Sequence, residues 1–283
     1  MWVRFPPSAQ MTTAAFQRKI LSWYQKNKRD LPWRKTKDPY KILVSEIMLQ
    51  QTQVSRVLPK YKEFLQTFPT VRDLAKAPEG KLLSVWSGLG YWRRARFLKE
   101  TAQAIERKYS GKFPRTSAEL IELPGIGPYT AGAVACFAFG SIETFIDTNI
   151  RRVYLHFFFP NKQDVSDKDI LVIAEKAVWK KDPRAWHWAL FDYGATVLKN
   201  TAINKRSRHY VKQSTFTGSF RSFRAKAIKK LLNSPKHMLP QTELLDFLED
   251  ELRQSEKDWS AQEILQALTN DKLIQKIGQQ YRL

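Results

Sequence analysis

The chain has 283 residues, 43% of them hydrophobic and 13% aromatic, which suits one large domain with a small appendage and excludes a disordered chain. Its single cysteine, Cys136, excludes an internal disulfide and any cluster held by four thiolates of this chain. The formal charge of +21 points to a polyanionic partner, nucleic acid before an anionic membrane surface, and no apolar run is long enough for a membrane span.

The opening residues read poorly as an ordered element. Trp2-Val3-Arg4-Phe5-Pro6 back-translates onto the T-arm of a transfer-RNA gene, so Met11 is the expected start and residues 1–10 an overrun. No secretory signal pattern is present, and a soluble intracellular protein is expected. From Thr13 the pattern is helical: Ala15, Ile20, Leu21 and Tyr24 share a face, and Leu31-Pro32-Trp33 breaks the run. Apolar positions at helical spacing resume from Ile42 to Leu65, up to Pro69. Short helices are then expected between Pro69, Pro78, Gly88, Gly90, Gly111, Pro114, Pro124 and Pro128. Near the end, helices over 222–233, 241–253 and 260–270 precede two strand-like stretches, 272–277 and 280–283, flanking Gly278. The expected fold is therefore all-α, with a main domain over 11–218 and a small winged-helix-like module over 219–283.

Charge divides along the same boundary. Residues 1–218 carry 37 basic and 18 acidic side chains, whereas 219–283 carry 11 and 9, so the first part is the expected DNA-facing one. No acid occurs from Tyr193 to Thr242, while Lys199, Lys205, Arg206, Arg208 and Lys212 fall there with six more cations. Such a stretch is either a solvated face or one that tracks phosphates.

Three motifs carry chemistry. In Leu123-Pro124-Gly125-Ile126-Gly127-Pro128-Tyr129-Thr130-Ala131, two glycines allow a tight turn between helices, with backbone N–H groups at the start of the second. A phosphate is received there by amides and helix dipole. Because the turn follows a helical pattern rather than a strand, a Rossmann reading is disfavoured; the stretch resembles the helix-hairpin-helix of DNA glycosylases. Twenty residues after Gly127, Phe145-Ile146-Asp147-Thr148-Asn149-Ile150-Arg151-Arg152-Val153 places Asp147 at the head of the next helix. Alone it would be a plain N-cap; after such a hairpin it resembles the superfamily's catalytic aspartate. Glu46 lies on the apolar stretch Ser45-Glu46-Ile47-Met48-Leu49-Gln50-Gln51-Thr52-Gln53. Burial there favours a protonated carboxyl, as a general acid requires, or else a carboxylate paired with an arginine.

The string Ser45–Gln53 closely resembles the MutY branch of adenine DNA glycosylases. Leu31-Pro32-Trp33-Arg34, Gly88-Leu89-Gly90-Tyr91-Trp92-Arg93-Arg94-Ala95-Arg96 and Phe191-Asp192-Tyr193-Gly194-Ala195 follow in the branch's order, so the likeness runs from Phe16 to Ala195. It implies two helical subdomains with a lesion pocket between them. It further implies that Glu46 protonates the adenine ring, that Asp147 stabilises the oxocarbenium or bonds to it, and that Asn149 holds that carboxylate. Gln51 would wedge into the duplex and Tyr91 intercalate near the opposing base, with Trp33, Arg34, Gly125, Gly127 and Trp188 also at the DNA or the base. Tyr129 stands where bifunctional relatives carry a Schiff-base lysine, implying base removal without efficient strand cleavage. The implied partner is double-stranded DNA bearing a mismatch or an oxidised guanine, bound by a monomer in the cytoplasm, at the nucleoid.

Three departures accompany the likeness. Leu198 stands where the family's first cluster cysteine would be and no others follow, so neither cofactor nor metal is expected. The residues after 218 are too few for the Nudix-like domain that reads 8-oxoguanine in the family's long form. Trp188 replaces a polar residue near the adenine edge. A thymine or uracil mismatch glycosylase shares the hairpin, the tyrosine and the aspartate, but Gln50-Gln51-Thr52-Gln53 favours the adenine branch. A non-catalytic DNA-binding protein is disfavoured because Glu46 and Asp147 are both present.

Overall fold

The computed structural model describes residues 11–199, 202–212, 215–255 and 258–283. The expected overrun, residues 1–10, lies outside them. In chain order come α1 (Thr13–Asn27), a 3-10 turn over Pro32–Arg34, α2 (Pro39–Leu49), α3 (Val54–Thr67), α4 (Val71–Ala75), α5 (Glu79–Trp86) and α6 (Arg93–Tyr109). Next are α7 (Ser117–Leu120), α8 (Pro128–Phe139), α9 (Thr148–Phe158), α10 (Asp167–Ala177) and α11 (Pro183–Thr196). The tail holds α12 (Phe220–Leu232), β1 (Met238–Pro240), α13 (Gln241–Arg253), α14 (Ala261–Asn270), β2 (Gln275–Ile277) and β3 (Gln280–Arg282).

Local chemistry sets these boundaries. Reciprocal capping boxes start α4 (Thr70, Asp73), α7 (Thr116, Glu119), α10 (Ser166, Asp169) and α14 (Ser260, Glu263). Proline opens α8 and α11, where its missing N–H costs nothing. Two elements differ from the sequence pattern. The apolar spacing from Ile42 to Leu65 is interrupted between α2 and α3, with Gln51 in left-handed backbone at φ 53°. In the tail, β1 joins the hairpin as a third strand, giving an antiparallel order β1-β3-β2 with Leu239 opposite Tyr281.

The chain forms two compact units, one from residues up to Leu43, Pro114–Glu122 and Ile126–Val211, the other from Val44–Phe113, Leu123–Gly125 and Lys212–Leu283. The first unit is built around Phe16, whose ring centroid lies 5.0–5.5 Å from those of Tyr154, Phe157, Phe158 and Trp186. Here α9 and α11 pack closely because Gly194 lacks a Cβ, which would collide with the backbone oxygen of Asn149. In the second unit Phe64 packs edge-on against Phe68 and Trp86. The tail, in the same unit, buries Phe223, Ile228, Leu244, Leu248, Ile264 and Leu268. Among the described residues no helix is long and apolar enough to cross a membrane.

Candidate active site and nucleic-acid surface

In the first unit, Asp147 is the N-cap of α9. Its Oδ1 accepts from the Ile150 amide at 2.7 Å and its Oδ2 from Asn149 Nδ2 at 2.9 Å, so both oxygens are fixed from one side. The residue keeps part of its surface accessible, but its carboxyl is deeply surrounded. Burial raises its pKa above the ordinary aspartate value, against the pull of the Ile150 and Asn149 hydrogen bonds and the Arg151 charge. An orienting amide and a partly desolvated carboxylate suit a group that meets positive charge developing on a substrate.

Tyr129 lies in the first turn of α8, its ring edge-on to Phe145 at 5.8 Å and to Phe191 at 6.4 Å. Phe145 in turn stacks on the His187 imidazole at 4.1 Å, and Trp188 stacks on Phe137 at 5.4 Å. The guanidinium groups of Arg34 and Arg184 cover the Trp188 ring, at 5.5 and 4.9 Å. Arg34 also grips Asp192 with both prongs of its fork, at 2.7 and 2.8 Å, and Arg29 adds its backbone N–H and Nε to the same fully buried carboxylate. Trp33 is buried beside this network in sequence, at 5% exposure. Trp33 and Arg34 are thus built into the interior, the Arg34 side chain being 8% exposed. Sequence reasoning missed Asp192, although an acid on the otherwise apolar helix α11 is a readable signal.

The second unit carries Glu46 in the last turn of α2, 5% exposed, followed by Gln51 in the break before α3. The organising group here is Arg94, which the sequence reading passed over. One of its nitrogens, Nη1, donates to the carbonyls of Ile47, Met48 and Gln50 at 2.9, 2.8 and 2.6 Å; the other, Nη2, donates to Leu89 O, Gly90 O and Thr52 Oγ1 at 3.0–3.1 Å. It therefore closes the C-terminal end of α2, where helix carbonyls lack internal partners, and the Gly88–Gly90 turn together. Burial lowers its pKa from 12.5 to about 10, which still leaves it charged at neutral pH. Tyr91, directly after that turn, also has left-handed backbone, φ 48°, and its ring lies 5.4 Å from the Arg94 guanidinium.

The hairpin between α7 and α8 is anchored by buried Leu123 and Ile126, while Gly125 and Gly127 are exposed. Gly125 adopts φ 73° and lies against the Phe97 side chain, where a Cβ would clash. Thr101 Oγ1 donates to the Pro124 carbonyl at 2.6 Å. Gly127 is the N-cap of α8, which opens with Pro128. Gln51, Tyr91 and Gly125 line one groove of about 920 Å³ within the second unit.

A four-thiolate cluster does not fit this chain. Cys136 is buried within α8, its Sγ 3.6 Å from His187 Nδ1, and Leu198 is buried as an apolar side chain. Among the described residues no group of three or more His, Cys, Asp or Glu is placed to hold a metal ion.

Residues 44–179 match the model of the HhH-GPD superfamily base excision DNA repair proteins. The adenine DNA glycosylase of Buchnera aphidicola subsp. Baizongia pistaciae (strain Bp) is 41% identical over 196 residues, 66% of this chain and 54% of that protein. That of Mycolicibacterium smegmatis is also 41% identical, over 180 residues, covering 63% of this chain and 61% of the relative. The chain spans about half the length of such curated relatives. Among solved structures, a thermostable thymine-DNA glycosylase superposes with a TM-score of 0.59 at 28% identity, over 69% of this chain and 94% of its own.

Proposed function

We infer that this chain, whose residues 44–179 match the model of the HhH-GPD superfamily of base excision DNA repair proteins, removes adenine from mispairs with guanine or 8-oxoguanine in double-stranded DNA. The observation that carries the reading is Asp147: a carboxylate at a helix start, oriented by Ile150 and Asn149, twenty residues beyond an exposed Gly-x-Gly hairpin. The adenine choice is supported by the curated relatives and by the Gln50–Gln53 string.

In this reading the target adenine is taken out of the stack before reaction. The N-glycosidic bond breaks with its electron pair passing to the adenine ring, which takes a proton from Glu46. Asp147 stabilises the cationic sugar, as paired carboxylates do in glycoside hydrolysis, until water adds at the sugar carbon and loses a proton. Tyr129 cannot form an imine, so the enzyme stops at base removal and borohydride traps no covalent adduct in high yield. It acts as a monomer, without a cofactor, and Gly125 and Gly127 hold a backbone phosphate.

The test is alkali-dependent cleavage of duplexes bearing A:8-oxoguanine, A:G, T:G or U:G. Product from the two adenine duplexes, abolished in Asp147→Asn with duplex affinity retained, is the expected outcome. Product only from T:G or U:G would replace adenine with a pyrimidine as substrate, and none from any duplex would leave a DNA-binding protein.

A further inference from the structure

Part of the groove in the second unit is lined by the start of the tail, beyond residues 44–179: Phe216 and, from α12, Ala225, Ile228 and Lys229. No aspartate or glutamate lines it, and its cations are not equivalent. Arg94 is committed to backbone carbonyls, Arg93 and Arg224 pair with Asp271, and on α12 the neighbouring Lys226 and Lys230 pair with Glu251 and Glu243. Arg56 and Lys229 are exposed and belong to no ion pair among the described residues. The aromatic side chains of the tail divide in the same way. Phe220 and Phe223 pack edge-on against Trp259, whereas Phe216 is 56% exposed. The Phe216 backbone is nonetheless held, its carbonyl accepting from the Ser219 amide at 3.1 Å and from Ser219 Oγ at 2.7 Å in the turn that starts α12. Phe216 and Lys229 line both the groove and a second cavity of about 450 Å³.

We propose that Phe216 is a stacking platform for an unstacked nucleotide of DNA, with Lys229 and Arg56 receiving phosphates along the same groove. The proposal takes DNA as the partner from the reading above and uses no step of adenine removal, so the two can fail separately. An exposed phenyl ring forfeits burial that would stabilise the fold. One such ring on a surface is ordinary. This one is fastened through its carbonyl and lines an acid-free groove together with two cations that no acid neutralises. That composition suits a nucleic-acid strand: a π-face accepts a base, while cations track the backbone. A phenyl face discriminates poorly between bases, so the site is expected to tolerate any nucleotide.

The experiment titrates the whole chain into a thymine oligonucleotide carrying one 2-aminopurine, whose fluorescence falls when the base stacks on a ring. Wild type should quench it. Phe216→Leu, which keeps apolar bulk without a π-face, should lose most of the quench and bind about fivefold or more weakly. Phe216→Tyr should keep both. The Phe216→Leu slope of log affinity against log salt should match wild type, because no charge is removed. Lys229→Met and Arg56→Met should each make that slope shallower by about 0.7, the share of one phosphate on a single strand. Quench and affinity unchanged in Phe216→Leu overturn the proposal, and so do slopes unchanged in both cation variants. Should Phe216→Leu fail to fold by circular dichroism, the slopes of the two cation variants decide alone. Adenine release enters none of these readouts: its absence from every duplex would remove the proposed function and leave this assignment standing.

Discussion

His187 makes the first unit sensitive to acid by an amount that can be worked out. Its ring is 1% exposed, stacked on Phe145 at 4.1 Å, and its Nδ1 lies 2.8 Å from the Pro183 carbonyl, which fixes a neutral tautomer donating through Nδ1. Burial lowers its pKa from 6.5 to about 4, outweighing the carbonyl, which favours the charged form. The folded-state value is depressed, so between those limits the unfolded chain binds more protons and stability falls as the solution is acidified. With those two values, linkage gives a loss of about 2 kcal/mol by pH 5 and about 3 kcal/mol by pH 4, relative to pH 8. The assay is urea unfolding at pH 8, 6 and 5 for wild type and for His187→Phe, which keeps a ring against Phe145 and cannot titrate. Other groups contribute to both slopes, so the difference isolates His187: the variant should lose about 2 kcal/mol less than wild type on going to pH 5. Equal losses would refute the argument, because they would mean that the imidazole is hydrated, or already charged, in the folded state.

Asp147 has the opposite sign. Its raised pKa favours the protonated folded form, a stabilisation present below the unfolded value of 3.8 and lost as pH rises through the folded one, so Asp147→Asn should melt higher than wild type at neutral pH. The same shift places the acid limb of excision above the ordinary aspartate range, read from a pH–rate profile with saturating enzyme. Arg94→Lys should cost about 3 kcal/mol or more in urea unfolding, since one ammonium cannot serve carbonyls on both sides and buried acceptors are left unpaired. Gly194→Ala drives a methyl against the Asn149 carbonyl, so it should lower excision by at least about tenfold, a cost of about 1.4 kcal/mol in barrier.

What could be read from the sequence was local. Asp147, its capping role and its Asn149 partner sit within four residues, and the tail helices show their buried faces at Leu244, Leu248 and Leu252. The three-strand sheet was hidden because β1 is three residues long, ends in proline and gains its identity from β3, more than forty residues on. Pairs joined across long separations were equally silent: Arg34 meets Asp192 across 158 positions and Arg221 meets Tyr91 across 130. Arg34 and Arg94 are both consumed by interior acceptors, Asp192 for the first and backbone carbonyls for the second. Nothing in a one-dimensional pattern separates a solvent-facing arginine from one that holds backbone carbonyls.

That distinction gives the groove its physical logic. Gln51 and Tyr91 are non-glycine residues in left-handed backbone, a conformation that costs each about 1–2 kcal/mol. Both follow a residue whose carbonyl accepts from Arg94: Gln50 O from Nη1 and Gly90 O from Nη2. One buried guanidinium therefore sets the peptide plane immediately before each strained residue, and its charge-assisted bonds offset the local cost. Under the proposed function, the two side chains are presented on backbone already held in place by Arg94, which removes an entropic penalty from binding. Strain at two positions with a shared support is hard to explain as packing, because a glycine at either position would relieve it. The arrangement is explained if Gln51 and Tyr91 must already point into the groove before a duplex is opened. Arg94 then serves recognition without touching the nucleic acid.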